Sequence, residues 1–306
     1  MGAVLVGFAI IGVVVAAGYA CARLRIGGPD ARTALNQVGF FVASPALLFT
    51  VLARADVHEL VQAPLAVAAA GAVAAAGVFV LVDRVWLRLP APEATVGAVA
   101  SGYVNANNIG LPVAVYVLGD ATAVVPVMLL QLLVLAPVAL LVLDATTSGR
   151  VSWRFVLAQP VRNPIILGSA AGAVVSLTGW TPPTAVMAPL DILGGAAIPM
   201  ILLAFGMSLH GTRPLQRGGA RRAVGVASLV KLLVMPVVVL LVARYAFGFD
   251  DAAVASAVTL AALPSAQNVY NYAARFGRGE ILARDTILVT TLASPVVLVV
   301  AALLLA

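Results

Sequence analysis

Asn105-Ala106-Asn107-Asn108-Ile109-Gly110-Leu111-Pro112 interrupts an apolar run that extends from residue 94 to residue 119. Three amides within four residues, followed by glycine and proline, do not belong in a plain apolar helix. Proline offers no amide donor and glycine loosens the backbone, so the segment predicts a helix break. A second stretch has the same character: Leu263-Pro264-Ser265-Ala266-Gln267-Asn268, followed by Asn271. Polar residues gather at these two places and almost nowhere else inside the apolar runs. The fold has to explain two matched interruptions.

The surrounding composition says what is interrupted. Of 306 residues, 62% are hydrophobic and only 10% charged, and the mean hydropathy is +1.09. Soluble domains carry about 25% charged and about 45–50% apolar residues. A soluble chain of this length could not hide so much apolar surface. A soluble enzyme, a secreted disulfide scaffold and a disordered chain are excluded, which leaves an integral membrane protein. The net charge of +6 and pI near 10.1 read as membrane topology, not as a nucleic-acid surface. Cys21 is the single cysteine, so no internal disulfide forms, and His58 and His210 are far apart. No zinc-type metal centre is expected. Residues 1–22 lack a basic leader segment and a convincing cleavage site, and read as a first spanning helix.

A bilayer core of about 30 Å takes roughly 20 apolar residues per helix. Charges used as boundaries give ten spans: 2–22, 33–53, 60–82, 94–119, 121–143, 155–178, 185–209, 222–245, 252–274 and 286–305. They must be helical, because lipid offers the backbone no partners. Alternation of the β-barrel kind is absent. Connections after odd-numbered spans hold 14 of the 18 basic residues, among them Arg32, Arg84, Arg88, Arg222 and Arg284. Connections after even-numbered spans hold only Arg54 and Arg244. The positive-inside rule then puts the odd-numbered connections in the cytoplasm and both termini outside.

Three proline contexts recur in order. Ser44-Pro45 pairs with Ile198-Pro199, Leu111-Pro112 with Leu263-Pro264, and Ala136-Pro137 with Ser294-Pro295. They fall in spans 2 and 7, 4 and 9, and 5 and 10. Each half holds five spans, and an odd number turns the second half over. The expectation is an all-α integral membrane protein with ten transmembrane helices in two inverted five-helix repeats. Residues 1–143 form the first repeat, 144–153 a short cytoplasmic linker, and 154–306 the second. Inverted repeats with discontinuous helices are a transporter architecture.

The candidate chemistry lies at the two breaks. Amides there can satisfy freed backbone groups or bind a polar solute. A half-helix starting at a break presents N–H groups and a positive dipole end, which suits a carboxylate. The alternative is a pair of kinked helices whose amides only hold neighbours together. Lys231, nine residues after Arg222, needs a cavity, a partner or an anion at that depth, unless it snorkels to the cytoplasmic side. Asp191 is either a coupling group or a wet helix-end charge. Arg162 reads as a snorkelling anchor, and Asn163-Pro164 as a helix start or kink. Ser101, Tyr103, Tyr116, Gln131, Tyr270 and Tyr272 are candidates to line a path, Tyr103 foremost. No Walker-type phosphate loop, dinucleotide fingerprint or Ser–His–acid set is present, so neither ATP drive nor an enzyme is expected.

At these residues the chain resembles the auxin efflux carrier family, which includes bacterial malate and malonate permeases. The resemblance covers nearly the whole chain. It rests on Asn105–Pro112 with Tyr116–Gly119, on Asn163-Pro164, and on Gly194–Leu209. Lys231–Pro236, Leu263–Gly277 and Thr290–Pro295 extend it. It implies ten helices whose fourth and ninth members break and cross near the membrane centre. Helices 1, 2, 6 and 7 would form a scaffold, often a homodimer interface, and helices 3–5 and 8–10 a moving transport domain. It implies a secondary carrier of organic anions working by alternating access. By resemblance Asn105 would contact a substrate carboxylate, and Gln267 and Asn268, after Pro264, would supply the contacts of the second half. Asn107, Asn108, Gly110, Pro112, Pro264, Ser265 and Asn271, read from the two breaks themselves, complete the candidate site. Lys231 and Asp191 remain candidates for charge or coupling, by proton or sodium, with no cofactor. A sodium-coupled carrier of the bile-acid type and a non-transporting receptor or scaffold are the competing readings.

Overall fold

The structure is a computed structural model that describes residues 2–55, 63–148, 163–211 and 221–305. Among these residues every regular element is helical. In chain order they are α1 (Gly2–Arg23), α2 (Ala31–Ala53), α3 (Ala63–Leu87), α4 (Ala91–Gly102), α5 (Ala106–Leu118) and α6 (Ala121–Thr147). Then follow α7 (Pro164–Thr178), α8 (Thr184–Leu209), α9 (Arg221–Ala246), α10 (Asp251–Ala261), α11 (Asn268–Phe276) and α12 (Glu280–Leu305). Six of them (α2, α3, α6, α8, α9 and α12) are long and apolar enough to cross a membrane. Ala9–Arg23 of α1, α5, α7 and α10 are shorter apolar helices. The protein is a multi-pass membrane protein. Arg162, His58 and residues 149–153 of the expected linker at 144–153 lie outside the described residues.

The prolines that suggested broken helices are mostly absorbed without a break. In α2, α5, α6 and α9 a five-residue π-helical turn ends one residue before the residue that precedes proline. These turns are Gly39–Ala43 before Ser44-Pro45, Ala106–Gly110 before Leu111-Pro112, Gln131–Leu135 before Ala136-Pro137, and Val230–Val234 before Met235-Pro236. A proline ring collides with the carbonyl four residues back and gives it no hydrogen bond. Widening the turn by one residue moves that strain into an i→i−5 bond, such as Leu111 N–H to Ala106 O. Pro112 therefore sits inside α5. The break that the sequence located around it falls earlier, at Tyr103–Asn105, where α4 ends at Gly102.

Close helix packing depends on small residues. α1 runs along the Ala197–Leu209 part of α8, and α7 along the Ser44–Ala53 part of α2. A Cβ at Gly172 would stand 2.5 Å from the Phe49 carbonyl oxygen, and one at Gly168 2.6 Å from that of Pro45. Gly18 and Gly206 bring α1 and α8 together in the same way. Only small side chains allow backbones to approach so closely, which is how helices associate in lipid. α3, α4, α6, α9, α10 and α12 pack as a second group around the interrupted helices.

Candidate functional site

Two interruptions meet at the centre of this second group. α4 ends at Gly102 and α5 starts at Ala106, while α10 ends at Ala261 and α11 starts at Asn268. The two connecting strands run antiparallel and form one isolated β-bridge, Val104 with Ser265. Asn105 N–H donates to Pro264 O at 2.8 Å, and Ala266 N–H to Tyr103 O at 3.0 Å. Backbone groups freed in one helix are thus satisfied by the other, as a low-dielectric setting requires.

Side chains complete the crossing. Gln131 of α6 donates through Nε2 to Val104 O at 2.8 Å, and Ser265 Oγ donates to Ala100 O at 2.6 Å. Thr290 of α12 accepts from Ser265 N–H at 3.1 Å. Gly110 lies against Leu263 of the other break, where a Cβ would come within 2.9 Å of its Cδ1. Gly110, Pro112, Pro264 and Ser265 are buried in this packing. They shape the crossing and do not line the cavity beside it.

That cavity measures about 370 Å³. Of the predicted site residues, Asn105, Asn107, Asn108, Gln267, Asn268 and Asn271 line it together. Asn105 is the N-cap of α5: its Oδ1 accepts from Asn108 N–H at 3.2 Å. Its Nδ2 is buried and has no hydrogen-bond partner, and neither has Asn107 Oδ1. Asn107 Nδ2 donates to Asn108 Oδ1 at 2.9 Å, and Asn108 Nδ2 to Gln267 Oε1 at 3.4 Å, so the amides link both breaks. A buried donor left free costs about 1–3 kcal/mol, a cost that a bound acceptor removes. The positive ends of α5 and α11 open on the same space. Tyr103 and Gln131 also line it, as the sequence suggested. The Tyr103 hydroxyl donates to the Gln131 carbonyl at 3.4 Å.

The two charged candidates lie elsewhere. Lys231 is fully buried, and its Nζ donates to Ala261 O at 2.6 Å. An ammonium there caps the final turn of α10, where the break leaves carbonyls without helical partners and the dipole is negative. It lies behind the crossing, outside the amide-lined cavity. Asp191 pairs with Arg54 at 2.8 Å, and both are well exposed, which ties α8 to the end of α2 far from the crossing. Asn163 accepts from Ile165 N–H at 2.9 Å and starts α7, with Pro164 in its first turn.

The sequence reading overlooked the wall contributed by α2: Arg32, Thr33, Asn36 and Gln37. Their spacing, two adjacent pairs four residues apart, is one helical face, and this was the available signal. Arg32 had been absorbed into the topology count.

An all-helical membrane chain whose two interrupted helices meet at a polar cavity has the form of a membrane transporter. The chain belongs to the auxin efflux carrier family: the family model described as "Membrane transport protein" matches residues 3–152 and 143–302. It is 32% identical over 287 residues to a Rhizobium meliloti (strain 1021) protein named "Putative malonate transporter", covering 90% of this chain and 88% of the relative. It is 27% identical over 205 residues to an "Uncharacterized transporter" of Methanothermobacter thermautotrophicus, 65% of each chain. The protein is a membrane transporter and not an enzyme.

Proposed function

We propose that the protein is a secondary carrier of small mono- or dicarboxylates that works by alternating access at the crossing of α4–α5 with α10–α11. The observation that carries this reading is the buried, unpartnered Nδ2 of Asn105 at the wall of the cavity. A carboxylate placed there accepts from Asn105 and faces two helix N-termini. Asn107, Asn108, Gln267, Asn268 and Asn271 supply further contacts. The name of the Rhizobium meliloti relative supports a substrate of this kind.

Two inverted repeats account for the order of elements. α1–α6 and α7–α12 each run as three helices, two half-helices and one further helix. Both second half-helices, α5 and α11, end on a left-handed glycine, Gly119 and Gly277. The reciprocal packing of α1 on α8 and α7 on α2 fits a scaffold of spans 1, 2, 6 and 7, against which the remaining spans move. The outer faces of that scaffold would meet in a homodimer, and the charge asymmetry favours termini outside the cell membrane.

The test is flux in proteoliposomes with a panel of carboxylates under imposed proton and sodium gradients. Saturable uptake of at least one small carboxylate is expected, and the gradient that accelerates it identifies the coupling ion. A protein that moves no carboxylate under any gradient would refute the proposal.

A further inference from the structure

A second cavity of about 490 Å³ adjoins the crossing. The two share Arg32, Asn36, Gln267 and Asn271 as lining residues and adjoin there as an inner and an outer section. The inner section holds the amides. The outer section reaches Arg284 of α12 and Ser208 of α8. No acidic side chain lines either section among the described residues. Arg284 is already engaged, its Nε 2.8 Å from Asp285 Oδ1. Arg32 has no ion-pair partner among the described residues. Among the described residues it is the one cation in the wall of the inner section, and it stands where the two sections join.

We propose that Arg32 receives the second negative group of a dianionic substrate, so that the site selects dicarboxylates over monocarboxylates. This rests on the carboxylate-carrier reading above. One carboxylate occupies the unpartnered Asn105 Nδ2 and the helix N-termini. The other extends along the cavity to the guanidinium, whose planar fork matches a carboxylate in two hydrogen bonds. A monocarboxylate fills the first position and leaves Arg32 to water. Thr33, Asn36 and Gln37 provide neutral donors on the same helix face and add no competing charge. Selectivity then depends on α2, while the amides at the crossing bind what both substrate classes share.

The experiment compares wild-type protein, Arg32→Gln and Arg32→Lys in proteoliposomes, with malonate and propionate as probes at low and at high ionic strength. Arg32 is exposed at the first turn of α2, so both variants are expected to unfold at the wild-type temperature. For Arg32→Gln the malonate KM should rise about tenfold, clearly more than the propionate KM. Arg32→Lys, which keeps the charge but loses the fork, should fall between. The loss should persist at high salt, because a bound contact, unlike long-range steering, survives screening. Equal losses for both acids, unchanged malonate transport, or a loss that vanishes at high salt would overturn the assignment. Wild-type protein that moves propionate and not malonate would overturn it while leaving the carrier reading intact. Wild-type protein that moves neither would remove both.

Discussion

Replacing Asn105 with aspartate separates the two roles of one side chain. Its Oδ1 caps α5 by accepting from Asn108 N–H at 3.2 Å, and its Nδ2 stands buried and free beside the cavity. Aspartate keeps the cap, and the helix N-terminus and the cavity beside it offset part of the cost of placing a charge at this buried position. The fold survives because the cap and the surrounding packing are kept. Binding does not. The lost donor to a carboxylate costs about 1.5–3 kcal/mol. Two like charges about 4 Å apart repel by about 4 kcal/mol at an effective dielectric near 20. Together these exceed the roughly 4 kcal/mol that corresponds to a thousandfold loss of affinity. Asn105→Ala removes the cap as well and should cost about 1 kcal/mol of stability. The assays are thermal unfolding in detergent and carboxylate uptake in proteoliposomes. Asn105→Asp should remain folded, with a cooperative unfolding transition, and show no measurable uptake. Wild-type uptake by this variant would remove Asn105 from the substrate site.

Other perturbations test the frame around it. Gly172→Leu places a side chain where the Phe49 carbonyl already stands at 2.5 Å from the Cβ position. It should cost at least about 1–3 kcal/mol, seen as a lower unfolding temperature, and a neutral result would deny the close packing of α7 on α2. Lys231→Ala empties a fully buried position and strips Ala261 O of its donor. A loss of about 2–5 kcal/mol is expected, and an unchanged unfolding temperature would refute the capping role. Asp191→Asn breaks only an exposed pair with Arg54. Stability should change by less than about 1 kcal/mol, with the pH profile of transport unaltered. A flattened profile would return Asp191 to proton coupling.

The amides were legible in the sequence because lipid tolerates so few of them. Seven polar side chains at two matched places are visible in the sequence, and six of them, the amides, line one cavity. The exact position of the break was not legible. Pro112 drew attention to itself, but a π-helical turn absorbs it, and the chain breaks at Tyr103–Asn105, where no proline stands. The second break does hold Pro264, because there the residue lies in the extended connection and needs no donor. Proline marks where a helix is under strain. Which strain becomes a break depends on whether another backbone is near enough to take the freed groups.

Lys231 and Arg32 show the same limit from the side of charge. In sequence, Lys231 inside an apolar span looked functional and Arg32 at a boundary looked topological. In space their roles reverse: the lysine holds the end of α10, and the arginine faces the cavity. A charge's surroundings come from elements distant in the chain, and no local pattern carries them.

The sequence by itself determined membrane residence, helical secondary structure and the identity of the amides that line the cavity. Each of these follows from how a residue partitions between lipid and water, a property that residues have individually. Only the tertiary structure decided that the two interruptions satisfy one another through Val104 and Ser265, and that α2 closes the cavity wall. Those depend on which backbones come within about 3 Å of each other, and that distance is fixed by packing small residues across helices far apart in the chain.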